Sequence, residues 1–213
     1  MMPAVSTKIC GLSTAEALDA AIGSGAAHVG FVVFPNSPRH VDPERLAALA
    51  ARVPDRVRRV GVFVDPDDEL LTRAAPFLDV IQLHGRETAD RVATVRARFG
   101  REIWRAVPVR TRADLAAAHQ YRGAADRLLY DAKPPAGADL PGGLGLRFDW
   151  RLLDGFDHPL PWALSGGLDQ ANLAEAVAVT GARLVDVSSG VESAPGVKAV
   201  DKIAGFLQAA AQL

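Results

Sequence analysis

The chain has 213 residues, 49% hydrophobic and 23% charged, which is the make-up of a globular domain and excludes a disordered or coiled-coil chain. Its 24 Lys and Arg against 25 Asp and Glu leave a formal charge of −1, so no electrostatic excess draws it to nucleic acid or to an anionic membrane. A single cysteine, Cys10, excludes an intramolecular disulfide and favours a reducing, cytoplasmic setting.

Short aliphatic and β-branched runs alternate with alanine-rich helical stretches along the chain. Residues 5–11 read as a buried strand. Ser13-Thr14-Ala15-Glu16 follows as a capping box, opening a helix with Leu18, Ala21, Ile22 and Gly25 at helical spacing. A second strand is expected over 28–34, then a helix opened by Asp42-Pro43, where Asp caps and Pro suits the first turn. The third strand spans 57–64, and Asp65-Pro66 starts the next helix with Asp67 and Asp68 complementing its dipole. Further strands read at 79–84, 102–106, 126–131, 161–164 and 183–187, with helices near 114–119, 150–153, 169–179 and 197–210.

About eight β/α units in one chain of this length predict an α/β fold. The expected form is a single (β/α)8 barrel domain over residues 1–213, the TIM-barrel architecture of eight parallel strands inside outer helices. An open doubly wound sheet would need a glycine fingerprint after the first strand, whereas the glycines here cluster late. No stretch approaches the ~18 apolar residues of a membrane span. Residues 1–8 show no apolar run ahead of a cleavage site, so secretion is not expected either.

In such a barrel the C-terminal strand ends share one face, which carries the chemistry. Cys10 ends the first strand and Asp131 the sixth, so a thiol and a carboxyl are expected in one mouth. Each has a plainer reading, Cys10 as a small buried hydrophobe and Asp131 as a loop cap. Gly142-Gly143-Leu144-Gly145, Ser165-Gly166-Gly167 and Ser188-Ser189-Gly190 follow late strands, where N–H groups can close on a phosphate. The residues read for that role are Gly143, Gly145, Gly166, Gly167, Ser189 and Gly190, though each turn could be a tight βα connection and no more. Arg39 lies in the polar, proline-broken loop Asn36-Ser37-Pro38-Arg39-His40, where its fork suits a carboxylate or phosphate and its plain reading is a solvated surface side chain. Lys8 faces the same side as Cys10, and barrel closure brings Asp186 beside it, predicting a Lys8–Asp186 pair. Gln82, His84 and His28 lack metal-ligand spacing and read as polar wall, so no metal is expected.

The strings Lys8-Ile9-Cys10-Gly11, Ser37-Pro38-Arg39, Val60-Gly61-Val62-Phe63-Val64, Gln82-Leu83-His84-Gly85 and Asp186-Val187-Ser188-Ser189-Gly190-Val191-Glu192 stand in one order. Together they resemble the phosphoribosylanthranilate isomerase family over nearly the whole chain. The resemblance implies a cofactor-free Amadori rearrangement of N-(5-phosphoribosyl)anthranilate in tryptophan biosynthesis, with a small phosphorylated substrate as partner and a monomeric or homodimeric state. It implies Asp131 as general acid, Cys10 as general base, Arg39 at the anthranilate carboxylate, and the turns near Gly143, Gly166 and Gly190 as phosphate clamp. Leu144 stands where a small hydroxyl residue often separates the glycines, Ser165 replaces a common alanine, and Ala199 follows Lys198 where an acidic residue is frequent. The sugar isomerase shared by histidine and tryptophan pathways has a similar fold but is expected to carry aspartate on strand one, which Cys10 contradicts. A barrel that only binds a phosphorylated metabolite would show the same glycine turns.

Overall fold

Among the described residues, eight short strands pair in chain order and close on themselves: β1 (Ser6–Ile9), β2 (His28–Val32), β3 (Arg58–Phe63), β4 (Val80–Leu83), β5 (Glu102–Val109), β6 (Arg127–Ala132), β7 (Trp162–Leu164) and β8 (Leu184–Val187). The structure, a computed structural model, describes residues 5–135, 137–138 and 140–213. Every barrel pairing is parallel, and β1 seals the cylinder against β8 with Lys8 opposite Asp186 and Ile9 opposite Val187. Closure removes the sheet edges that would otherwise offer unpaired N–H and C=O groups.

Successive side chains point to opposite faces of a strand, so each strand feeds two cores. Outward residues such as Ile9, Val29, Phe31, Ile81, Ile103 and Val185 pack under the helices in one large apolar cluster. Inward residues Val60, Val80, Trp104, Ala106, Leu129, Ala163 and Leu184 fill the barrel as a second cluster. The indole of Trp104 is fully buried there, with the His28 ring 5.2 Å and the Arg127 guanidinium 5.4 Å from it. Burial pushes His28 down to about 4, with the nearby Lys8 charge adding to the effect.

Among the described residues, six α-helices surround the barrel: α1 (Ala15–Gly23), α2 (Pro43–Ala50), α3 (Asp68–Ala74), α4 (Ala89–Phe99), α5 (Leu173–Thr180) and α6 (Val200–Ala210). Several sequence expectations shift by a few residues. Thr14, not Ser13, caps α1 by accepting from Ala17 N–H, because its hydroxyl lies in register with the first free donors. Asp67, not Asp65, caps α3 through Leu70 N–H. Asp65 instead adopts φ +45°, with its carboxylate accepting from Arg86 N–H. The expected helices near 114–119 and 150–153 are 3-10 helices, Arg112–Tyr121 and Trp150–Leu153. Asp169 caps a turn ahead of α5, through Ala171 and Asn172 N–H, rather than starting the helix. Val197 and Lys198 belong to a strand, β10 (Val197–Lys198), paired antiparallel with β9 (Glu192–Ala194), and α6 begins only after this hairpin.

Candidate active site

The C-terminal ends of the strands open into one cavity lined by Cys10, Arg39, Gln82, His84, Asp131, Ser165, Asp186 and Ser189, with Gly142–Leu146 and Gly166–Leu168 along its rim. It encloses about 820 Å³ counting the space open at its mouth.

Cys10 is held by the sheet rather than by a loop: its N–H donates to Val187 C=O at 2.8 Å, an extension of the β1–β8 ladder. The thiol is buried, and glycine opposite leaves it room, since a Cβ on Gly30 would stand 3.0 Å from Sγ. Below it, Lys8 Nζ meets Asp186 Oδ1 at 2.8 Å, the pair expected from barrel closure, and Ser165 Oγ donates to Asp186 Oδ2 at 3.3 Å. Burial opposes the Lys8 charge, but Asp186 and Cys10 together hold its ammonium above the ordinary lysine value. Burial pushes the Cys10 thiol up; Lys8 pulls it back, Asp186 raises it again and Lys198 lowers it, and the net direction is upward.

Asp131 faces the same cavity from β6 and is 6% exposed. Its Oδ1 accepts from Ala132 N–H at 2.9 Å, and its Oδ2 lies 3.1 Å from His84 Nε2. Gln82 Nε2 lies 3.0 Å from the other ring nitrogen of His84, and a neutral ring that accepts from it there turns its Nε2 proton towards Asp131. The backbone around His84 is gripped in turn by Arg105, whose guanidinium donates to Leu83 C=O and Gly85 C=O at 3.0 Å each, pairs with Glu87 and stacks 5.0 Å from the Tyr121 ring. Two glycines leave room for the carboxylate. A Cβ on Gly142 would stand 2.7 Å from Asp131 Oδ2, and one on Gly166 3.0 Å from Oδ1.

Arg39 is not a solvated loop residue. It is 5% exposed, because its guanidinium pairs with Glu192 through Nε at 2.7 Å and Nη2 at 2.8 Å, and Nη2 also donates to Gly143 C=O at 3.0 Å. Lys198 Nζ donates to the same Glu192 at 2.7 Å and to Ser188 C=O at 2.8 Å. Burial works against ionising Glu192, but Arg39 and Lys198 hold its carboxyl below the usual glutamate value. Burial also lowers the Lys198 ammonium, only partly offset by Glu192.

Of the residues read for phosphate, Gly143, Gly145, Gly166, Gly167 and Ser189 line the cavity. Gly190 lies off its wall, packed so closely on the β7 loop that a Cβ would meet Leu168 C=O at 2.0 Å. Among the described residues no group of three or more His, Cys, Asp or Glu is placed to hold a metal ion. None of their helices is long and apolar enough to cross a membrane. Glu192 and Lys198 join the site although the sequence marks them only by their place after the last strand and, for Glu192, by the string that carries the resemblance; His84, expected as plain wall, stands against the acid.

Comparison with known proteins agrees with this geometry. A family model described as N-(5'phosphoribosyl)anthranilate (PRA) isomerase matches residues 7–209. N-(5'-phosphoribosyl)anthranilate isomerase of Zymomonas mobilis is 58% identical over 207 residues, covering 96% of this chain and 97% of its own. The crystal structure of a phosphoribosyl anthranilate isomerase in complex with reduced 1-(o-carboxyphenylamino)-1-deoxyribulose 5-phosphate superposes with a TM-score of 0.85 at 34% identity, over 98% of this chain and 100% of that one. A structure of monomers generated from the dimeric phosphoribosylanthranilate isomerase of Thermotoga maritima gives 0.84 at 35% identity, again over 98% and 100%. With a matching barrel, a thiol and a carboxyl in one mouth, and relatives of this likeness over nearly its full length, the chain belongs to the N-(5'-phosphoribosyl)anthranilate isomerase family.

Proposed function

We propose that Cys10 and Asp131 are the base and acid with which this isomerase converts N-(5'-phosphoribosyl)anthranilate to the 1-deoxyribulose 5-phosphate product in tryptophan biosynthesis. The observation that carries the reading is that both side chains, from opposite parts of the barrel, line one cavity. Asp131 in its acid form gives a proton to the furanose ring oxygen as the C1–oxygen bond breaks and the anthranilate nitrogen's lone pair closes a C1=N iminium. Cys10 as thiolate then takes the C2 proton, and the electron pair moves to form an enolamine, which tautomerises to the ketose. The carboxylate left on Asp131 is met by Ala132 N–H and His84 Nε2. Lys8, raised in pKa by its neighbours and fully buried, supplies positive charge near the thiolate. These two groups account for both proton transfers, so the reading assigns no cofactor.

At the far ends of the substrate, Arg39 takes the anthranilate carboxylate. The phosphate lies between the β7 and β8 loops, on Gly166, Gly167 and Ser189, with Gly143 and Gly145 folding over it; Gly190 acts by holding those loops together. The chain works as one domain in the cytoplasm, as a monomer or homodimer, on a small phosphorylated substrate and with no nucleic-acid or membrane partner; sedimentation at several concentrations separates the two states. The test of the mechanism is the loss of anthranilate-type fluorescence on isomerisation. Wild type is expected to turn over, and Cys10→Ser and Asp131→Asn each to lose about 10²- to 10⁴-fold in kcat with binding kept. Near wild-type turnover in either variant overturns that residue's role, and binding without turnover in the wild type favours a barrel that only binds.

A further inference from the structure

We infer that Glu192 is a positioning residue that sets the anion specificity of the site, by fixing which part of Arg39 remains for the substrate. The inference rests on the reading of Arg39 as the carboxylate site and deepens it. An arginine side chain has five N–H donors in a rigid fork. Glu192 takes the Nε hydrogen at 2.7 Å and one Nη2 hydrogen at 2.8 Å, and Gly143 C=O takes the other Nη2 hydrogen at 3.0 Å. Among the described residues only the pair on Nη1 is left without a partner. Glycine at 143 keeps that nitrogen uncovered, since a Cβ there would stand 2.7 Å from it.

Glu192 can do this because it is itself fixed. Lys198 binds its Oε1 at 2.7 Å, Gly196 N–H reaches its Oε2 at 3.2 Å, and Lys198 is anchored to Ser188 C=O at the end of β8. The fork of Arg39 is thereby referenced to the barrel wall, although Arg39 itself sits in the loop after β2. The charges point the same way. Two cations, Arg39 and Lys198, share one anion, Glu192, in a cluster whose side chains are 6% exposed or less, leaving one positive charge. A single carboxylate on Nη1 neutralises it. Without Glu192 the guanidinium would keep only its Gly143 C=O contact, and two buried cations would repel each other.

The experiment compares two probes: reduced 1-(o-carboxyphenylamino)-1-deoxyribulose 5-phosphate and the same compound with a plain phenyl ring. Wild type is expected to prefer the carboxylated probe by about 10- to 100-fold, the size of a charge-assisted hydrogen bond. Glu192→Gln is expected to cut that preference to within about 3-fold, while inhibition by inorganic phosphate stays as in wild type, showing a folded barrel. Adding it to Arg39→Ala is expected to change the preference no further. Arg39→Lys, which leaves Glu192 untouched, is expected to lose the preference as fully as Arg39→Ala, because Glu192 claims its one ammonium. A wild-type preference kept in Glu192→Gln, or in Arg39→Lys should the Glu192 variant fail to fold, overturns the inference; so does an equal loss of phosphate inhibition. A wild-type preference kept in Arg39→Ala overturns instead the assignment of Arg39 itself.

Discussion

Lys8 and Asp186, 178 positions apart in the chain, meet inside the barrel at 2.8 Å with both side chains almost wholly withdrawn from solvent. Each is costly to bury alone, and removing one partner strands the other. Lys8→Met is therefore expected to cost about 3–5 kcal/mol in urea unfolding. Lys8→Met with Asp186→Leu should recover much of that loss, and a double variant no more stable than the single one would contradict the pairing argument.

The acid stands against His84, which points to a prediction in kinetics rather than stability. His84→Ala leaves Asp131 Oδ2 without its 3.1 Å partner and is expected to lower kcat about 10-fold with little change in KM. His84→Gln, whose amide nitrogen can stand near the place of Nε2, should restore most of it. If both variants behave alike, the hydrogen bond to Asp131 has no part in turnover.

Gly142 offers a steric test. Its φ is not in the left-handed region, so alanine meets no backbone strain there, yet the new methyl would lie 2.7 Å from Asp131 Oδ2 and 2.9 Å from His84 Nε2. Gly142→Ala is expected to lower kcat/KM at least about 10-fold while changing the unfolding midpoint little, being a rim position. Unchanged steady-state kinetics would show that the loop stands away from the carboxylate.

The pH dependence of stability should carry the mark of His28. Its value in the folded chain is about 4 against an ordinary 6.5, so between those limits the unfolded chain binds the extra proton. Stability from this group is complete above about 6.5 and falls as the pH drops towards 4, by up to about 1.4 kcal/mol per pH unit and about 3 kcal/mol in all. His28→Gln should flatten that part of the curve in denaturant titrations run from pH 7 to pH 4. A slope equal to that of wild type would mean that other groups set it.

Much of the barrel is legible in the residues because strands with two buried faces read as short continuous apolar runs. All eight stand where the sequence predicts them, within the usual uncertainty at their ends. Helix α4 is the element the sequence pattern does not announce. Of its eleven residues only Val92 and Val95 are buried, and Arg91, Arg96 and Arg98 dilute the apolar stripe, although Thr88 and Gly100 cap it at either end. Cys10 and Asp131 could be singled out because strand ends are known positions in such a fold. The burial of Arg39 could not, because Glu192 lies 153 residues away and nothing local to either marks the pair. The same holds for Asp65, whose backbone follows from a contact with the loop at Arg86.

Cys10 is the only thiol in the chain, and it sits on the wall of the working cavity at 7% exposure. A sulfhydryl reagent small enough to enter therefore has one target per molecule, and the extent of labelling counts competent centres in a preparation directly. A bound ligand that fills the barrel mouth shields that target, so the rate of alkylation becomes an occupancy gauge needing neither turnover nor a tag.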